Sequence, residues 1–215
     1  GALNKDRFGR SVAVIGNIDG IPGAEFIIGA PEFNQDCGFP DCVPPSKGPG
    51  YARVSRGATS EQLAHLSGQQ YDGGTVGEAF GWSVAGMVDV GPIDQFGSAD
   101  GVPDFLVGAH RYKSDLGGGE TRDAAGRVWA YSGATLQPLP AFADVLNGTK
   151  LFGENGGDQF GWSLCGTGDL SGDNNDDLVV GAWRASHRMG LSCPGGQLNG
   201  AVYAVRGSDG AVLNT

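Results

Sequence analysis

Three copies of one pattern constrain this chain before any single residue does: Phe8-Gly-Arg-Ser-Val12, Phe80-Gly-Trp-Ser-Val84 and Phe160-Gly-Trp-Ser-Leu164. Each copy runs through a stretch rich in Asp, Asn and Gly into a short apolar segment, FIIGAP, FLVGAH or LVVGAW. Recurrence at a near-constant interval marks a tandem array of equivalent units. The interval far exceeds a helical hairpin, so each unit is expected to be a small sheet of several strands.

The strands can be read within a unit. The Phe-Gly segment is the first and the apolar run the second, a short buried strand by its composition. The third is GYARVSRGAT at 50–59, GRVWAYSGAT at 126–135 and GAVYAVRG at 200–207, each ending in a turn signal. A fourth is expected at Gln62 to Gly68 and again at Lys150 to Glu154. Four antiparallel strands per unit make an all-β chain of β-propeller blades. The blades fall at about 1–70, 71–154 and 155–215, one continuous array. The 40 glycines supply turns and close strand approaches, while 40% hydrophobic residues in regular runs argue against disorder.

The Phe-Gly start, the acidic loop and the Gly29-Ala30-Pro31 strand end resemble the FG-GAP repeat of the propeller head of integrin α subunits. The resemblance covers nearly the whole chain, with His110 and Trp183 replacing the proline in the second and third copies. It implies a propeller that carries calcium and works in extracellular recognition with other protein subunits.

Three blades fall short of the four to eight that normally close a propeller. The third unit also stops at Asn214-Thr215, where the first two are expected to continue into a fourth strand. Three arrangements would cover the open faces: further sequence in a longer protein, a ring closed by homo-oligomerisation, or head-to-tail stacking in which one chain completes the next.

The loop between first and second strands carries the chemistry. In the third copy, Asp169, Ser171, Asp173 and Asp177 stand at loop positions 1, 3, 5 and 9, and Asn175 offers its backbone carbonyl at position 7. Calcium takes six to eight hard oxygens, and a tight loop with alternating oxygen side chains brings several to one centre. An EF-hand would need a twelve-residue loop between helices, whereas these flanks are strands. The resemblance places calcium in this loop. In the second copy an insertion follows Asp89. Counting back from the second strand gives Asp104, Val102, Asp100 and Ser98 for positions 9, 7, 5 and 3, with Asp89 as the first ligand and Asp94 as its alternative. The first copy keeps Asn17, Asp19 and Glu25, but Ile21 stands where the count puts the central carboxylate, implying lower affinity.

A formal net charge of −10 repels nucleic acid and anionic membranes, and bound calcium would neutralise clustered carboxylates. Four cysteines point to an oxidising compartment. Cys37 and Cys42 are close enough in sequence for a local disulfide. Cys165 and Cys193 share a blade and are either a second pair or, for Cys165, a buried thiol. No apolar stretch is long enough to span a bilayer. Asn147-Gly-Thr149 fits an N-glycosylation acceptor. These features together suggest an extracellular, secreted or cell-surface protein.

No catalytic motif appears, and the chain reads as a non-enzyme. His65 lies in a fourth strand, and His110 and His187 read as exposed loop residues. Asp176 and Asp177 should point to opposite faces, poorly placed to flank one bond. Trp82 and Trp162 share the slot after Phe-Gly and, with Trp129, are expected to pack in the core. Trp183, Arg111-Tyr112-Lys113 and the loop from Pro31 to Gly50 are candidates for surface contact. The reading is a calcium-binding FG-GAP module for protein–protein interaction, adhesion or self-assembly. The alternatives are an accessory propeller domain of a secreted enzyme and a carbohydrate-binding propeller.

Overall fold

The computed structural model describes residues 6–32, 48–71, 76–89, 100–115, 121–139, 153–185 and 199–213. They form strands and turns, with no helix among them. Strands β1 (Ser11–Gly16), β2 (Glu25–Ala30), β3 (Tyr51–Ser55) and β4 (Gln62–Ser67) make an antiparallel four-stranded meander. A two-strand ribbon, β5 (Gln70–Tyr71) with β6 (Val76–Gly77), leads to the second sheet. That sheet joins β7 (Phe80–Gly86) and β8 (Phe105–Ala109), then crosses the ribbon β9 (Ser114–Asp115) and β10 (Thr121–Arg122) to reach β11 (Arg127–Tyr131). The third is β12 (Phe160–Gly166), β13 (Leu178–Ala182) and β14 (Ala201–Val205), again antiparallel. These are propeller blades in an open array.

Among the described residues the fourth strand is complete only in the first blade. All three blades leave their third strand by one turn, in which Ser60, Leu136 and Gly210 return an amide to the carbonyls of Arg56, Ser132 and Arg206 at 2.8 Å. Those three residues are left-handed, with φ of 59, 58 and 70°. The returning chain then pairs at single positions, Pro138 with Tyr131 and Val212 with Val205. So tight a turn brings the returning chain back against the third strand at once, at Pro138 in the second blade and Val212 in the third. Residues 150–152 lie outside the described set. Gly153 and Glu154 belong to no strand, and the Gly153 amide closes the blade on the Gly126 carbonyl as Gly68 does on Gly50.

Two apolar clusters lie between the sheets. Ile15, Ile27, Ala52 and Val54 of the first blade meet Phe80, Val84, Phe105, Val107 and Tyr131 of the second. Ala85, Leu106, Val128 and Ala130 on the second blade's other face meet Phe160, Leu178, Val180 and Tyr203 of the third. Side chains alternate across a strand, so β8, sandwiched between neighbours, is buried at every residue, while β13 in an end blade alternates. The inner strands β1, β7 and β12 line an open cleft of about 480 Å³ at their loop ends.

The Phe-Gly pair makes the joint between blades. Phe80 and Phe160 are 1% exposed, and their amides donate to the Pro49 and Ala125 carbonyls of the preceding blade at 2.8 and 2.9 Å. Residues on either side are left-handed: Ala79 and Gly81 at 58 and 83°, Gln159 and Gly161 at 57 and 82°. This turns the glycine carbonyl onto the preceding sheet, where the Ser11 and Ser83 hydroxyls donate to Gly81 and Gly161 at 2.9 and 2.7 Å. The receiving sheet must be bare there: a Cβ on Gly29 would collide with the Gly81 oxygen, and one on Gly108 with the Gly161 oxygen.

Overpacking against backbone that has no room to move is destabilising by about 1–3 kcal/mol or more. Gly108→Ala should therefore lower the unfolding free energy measured in urea by that amount. Val12→Ala, at a side chain 67% exposed, should stay within about 0.5 kcal/mol of the parent.

Candidate metal centre

In the third blade the acidic loop is organised by its own carboxylates. Asp169 Oδ1 accepts the Gly172 and Asp173 amides at 2.6 and 3.1 Å, and Oδ2 accepts the Asn174 amide at 2.8 Å. Asp173 Oδ1 accepts the Asn175 amide at 2.9 Å, a local turn that favours aspartate. Its Oδ2 accepts the Ser208 hydroxyl at 2.5 Å and lies 4.0 Å from Arg206 Nε. Backbone donation from Asn174 holds the Asp169 carboxyl below its usual range, and the Ser208 hydroxyl, followed by the Asn175 amide, does so for Asp173. Both carboxylates remain ionised as pH falls toward 4, and the stabilisation they give is lost below that as they protonate.

Asp177 differs in being fully buried. Its Oδ2 accepts the Leu170 and Ser171 amides at 2.7 and 2.6 Å, and its Oδ1 accepts the Gly207 amide at 2.9 Å. One carboxylate thus ties the loop to the turn after β14. Neighbouring Asp176 points elsewhere, accepting the Val88 amide of the second blade at 3.2 Å. Asp104 and Glu25, 2% and 1% exposed, hold the same place in the other blades: Asp104 accepts the Gly133 amide at 3.0 Å and Glu25 the Ile18 amide at 2.8 Å. Hydrogen bonds to a charged group contribute about 1.5–3 kcal/mol. Asp177→Ala leaves three donors without that acceptor and should lower stability by several times more than Asp176→Ala in chemical denaturation.

The other two loops share these anchors. Asn174, Gly101 and Gly20 are all left-handed, at φ of 66, 81 and 74°, and their amides point to Asp169, Asp89 and Asn17. The Asp89 carboxylate thus meets the Gly101 amide across the insertion; Asp94 and Ser98 lie outside the described residues. The turn made by Asp173 is repeated by Asp100 to the Val102 amide at 2.9 Å and by Asp19 to Ile21 at 2.8 Å. In the first loop this overturns the count that put Ile21 in the central position, because Asp19 occupies it. The loop is shorter before that turn and longer after it, which counting from its ends does not reveal. Arg56 Nε sits 2.7 Å from Asp19 Oδ2, and the Ile21 amide first, then Arg56, holds the Asp19 carboxyl low. Asn17 Nδ2 donates to the Ile21 carbonyl at 2.8 Å.

A ladder of rings crosses the rim where the Phe-Gly turns lie. Arg10 stands 4.3 Å over Trp82, Trp82 lies 4.7 Å from Trp162, and Trp162 lies 5.1 Å from Trp183. Trp82, Trp162 and Trp129 are half-buried, so the expected core packing takes the form of stacking at the blade edges, and Trp183 is exposed. His110 is not an exposed loop residue. It is 5% exposed, tilted against Trp82 at 4.2 Å and edge-on to Trp162 at 4.9 Å, because the second blade has neighbours on both sides. His187 lies outside the described residues, as do Cys37, Cys42, Cys193 and Asn147. Cys165 is an exposed free thiol on β12.

Burial, then the Arg111 and Arg10 charges, push the His110 pKa down to about 3. The unfolded chain takes up a proton near pH 6.5 that the folded chain refuses. Stability is full above pH 6.5 and should fall by about 1.4 kcal/mol per pH unit below it. His110→Phe should flatten the melting curve's pH dependence between 6.5 and 5.

Repeated Phe-Gly joints and acidic loops in antiparallel blades define an FG-GAP region. The chain is 27% identical over 206 residues to integrin alpha-5 of Xenopus laevis, covering 95% of this chain and 16% of that protein. It is 30% identical to human integrin alpha-7 over 179 residues and 31% identical to human integrin alpha-IIb over 181, each match covering 81% of this chain. Those two matches take in 12% and 14% of the human proteins, so the chain spans only a small part of its curated relatives. No protein-family model matches it. The chain is an integrin α-like FG-GAP region.

Proposed function

We propose that the chain is a non-catalytic, extracellular calcium-binding FG-GAP module that makes adhesion-type contacts with other protein subunits. The observation that carries this reading is the oxygen set of loop 169–177, three carboxylates with the Ser171 hydroxyl and Asn175 carbonyl, anchored by buried Asp177. Its donor chemistry fits a hard cation. Among the described residues no three acidic side chains already stand in metal-holding geometry. Taking up an ion therefore requires Asp173 to turn from Ser208 and Arg206. Bound there, calcium supplies positive charge to an acidic loop and cross-links its two ends.

Asp89, Asp100 and Asp104, with Ser98 and the Val102 carbonyl, are the equivalent set in the second blade. The first blade is different, because the Asn17 amide and the Arg56 guanidinium already donate to the Ile21 carbonyl and Asp19 carboxylate. We assign ions to the second and third loops and a self-sufficient hydrogen-bonded loop to the first. Exposed Trp183, at the end of the ring ladder, is the preferred point of subunit contact. The similarity to integrin α subunits supports the adhesion and cell-surface parts of this reading.

Calorimetric titration with calcium should give two sites, one removed by Asp169→Asn and the other by Asp89→Asn. An ion at a hundredfold its Kd stabilises the fold by about 2.7 kcal/mol, so EDTA should lower the melting temperature. No binding heat together with an unchanged melting curve in EDTA would refute the calcium assignment.

A further inference from the structure

The rim that carries the ring ladder is built from two rows. One is the residue after each Phe-Gly: Arg10, Trp82 and Trp162; the other is the residue after each Gly-Ala: Pro31, His110 and Trp183. Register gives His110 and Trp183 the same place, since Phe80 pairs with Ala109 and Phe160 with Ala182. In the third blade the ring nitrogen is satisfied from within: Trp183 Nε1 donates to the side chain of Gln159, the residue just before phenylalanine. In the second blade that residue is Ala79, which has no polar side chain to offer His110. His110 is 5% exposed and its Nδ1 has no partner. Trp82 Nε1 and Arg111 Nε are likewise buried and unpartnered. The three share one neighbourhood: Arg10 stands 4.3 Å over Trp82, His110 lies 4.2 Å from Trp82, and Arg111 follows His110 in the chain. Buried polar groups are nearly always paired, so unpaired ones grouped like this call for a partner from outside the chain.

The chemistry of these groups selects the partner. An indole Nε1–H and a guanidinium Nε–H only donate, and a neutral imidazole carries a proton on one of its two nitrogens. Burial keeps the His110 imidazole neutral. Among the described residues neither Arg10 nor Arg111 ion-pairs with a carboxylate. Glu32, within electrostatic reach of Arg111, is taken by Arg7 at 2.8 Å. The acids two residues before phenylalanine turn inward: Asp6 accepts the Phe8 amide at 3.1 Å and the Tyr51 hydroxyl at 3.2 Å, and Glu78 accepts the Gln69 amide at 2.9 Å. Donors backed by guanidinium charge fit an anion. With a net charge of −10 the rest of the chain repels a polyanion, whereas a single carboxylate is screened from charges beyond roughly 8 Å.

We propose that Arg10, Trp82, His110 and Arg111 form a carboxylate-binding site, and that its ligand is an acidic side chain on an extended segment of a partner protein, with apolar neighbours lying on the Trp82 and Trp162 rings. The guanidinium forks take the carboxylate oxygens. The ring nitrogens complete their remaining acceptor positions. Neither neighbouring blade repeats the site: Pro31 has no donor in the first, and Gln159 fills the position in the third. The proposal rests on the reading of the chain as a protein-contact module and is independent of the calcium assignment.

Heteronuclear NMR of the indole N–H signals, with Trp82 assigned by Trp82→Phe, tests the site. N-acetyl-Phe-Glu-Phe-amide should shift the Trp82 signal saturably at neutral pH, and N-acetyl-Phe-Gln-Phe-amide should bind roughly ten- to a hundredfold more weakly. Arg10→Gln, at an exposed side chain, should weaken the Glu peptide about tenfold. Ala79→Gln, which gives His110 the partner that Gln159 gives Trp183, should do the same with no change of charge. Should Ala79→Gln fail to fold, Arg111→Lys keeps the charge, loses the Nε–H and gives the same reading. Arg56→Gln, beside the first acidic loop, should bind as the parent does. Equal binding of the two peptides would overturn the carboxylate site while leaving the rim a protein contact, and no shift with either would remove both. A Trp82 shift unchanged in Arg10→Gln, or one produced more tightly by inorganic phosphate than by the Glu peptide, would also overturn the proposal.

Discussion

The fold depends on the seating of one glycine carbonyl per joint against the backbone of the preceding sheet. Gly81 and Gly161 are turned inward by left-handed conformations, held by a serine hydroxyl, and received where Gly29 and Gly108 leave no side chain in the way. That contact sets the distance at which Phe80 and Phe160 enter the apolar layers. Hydrophobic burial drives the blades together without direction. The carbonyl joint gives the packing its direction and spacing.

A second constraint couples the joint to the loops. The buried acids Glu25, Asp104 and Asp177 begin or directly precede the second strands, and their oxygens hold amides of the preceding loop or of the turn after the third strand. A carboxylate so placed is structural before it is anything else, since an apolar replacement would leave buried donors unpaired. The more exposed Asp169, Asp173, Asp89 and Asp100 accept amides within their own loops. In the first blade Asn17 and Arg56 supply donors to the Ile21 carbonyl and the Asp19 carboxylate. Acidic residues of the same loop thus differ in how deeply they are tied into the blade.

Much of this was legible in the chain itself. Phe-Gly-x-Ser followed by a Gly-Ala strand end located the first two strands of every blade, and the Gly-Ala-Thr and Gly-Ser-Asp-Gly segments located the third strands and their turns. The acidic loops were visible from their spacing. Asp19 was misplaced because the first loop moves length from one side of its turn to the other, which only the left-handed Gly20 and the Arg56 pairing reveal. The return of the second blade at Pro138 went unnoticed, since a one-position pairing leaves no periodic signal. His110 was misread because its exposure depends on Trp82 and Trp162, residues of two different blades.

By itself the sequence determined the unit: antiparallel blades, their order, the Phe-Gly joint and the acidic loop, because each rests on local spacing and on side-chain or backbone requirements within a few residues. The tertiary structure decided what those units do to one another. FIIGA, FLVGA and LVVGA are nearly the same strand, yet only the middle one is buried throughout, since only it has a sheet on both sides. In the same way Gly86 becomes decisive once a Cβ there is set against the Val14 carbonyl of the first blade. Burial and collision belong to pairs of blades, and no single blade's sequence contains them.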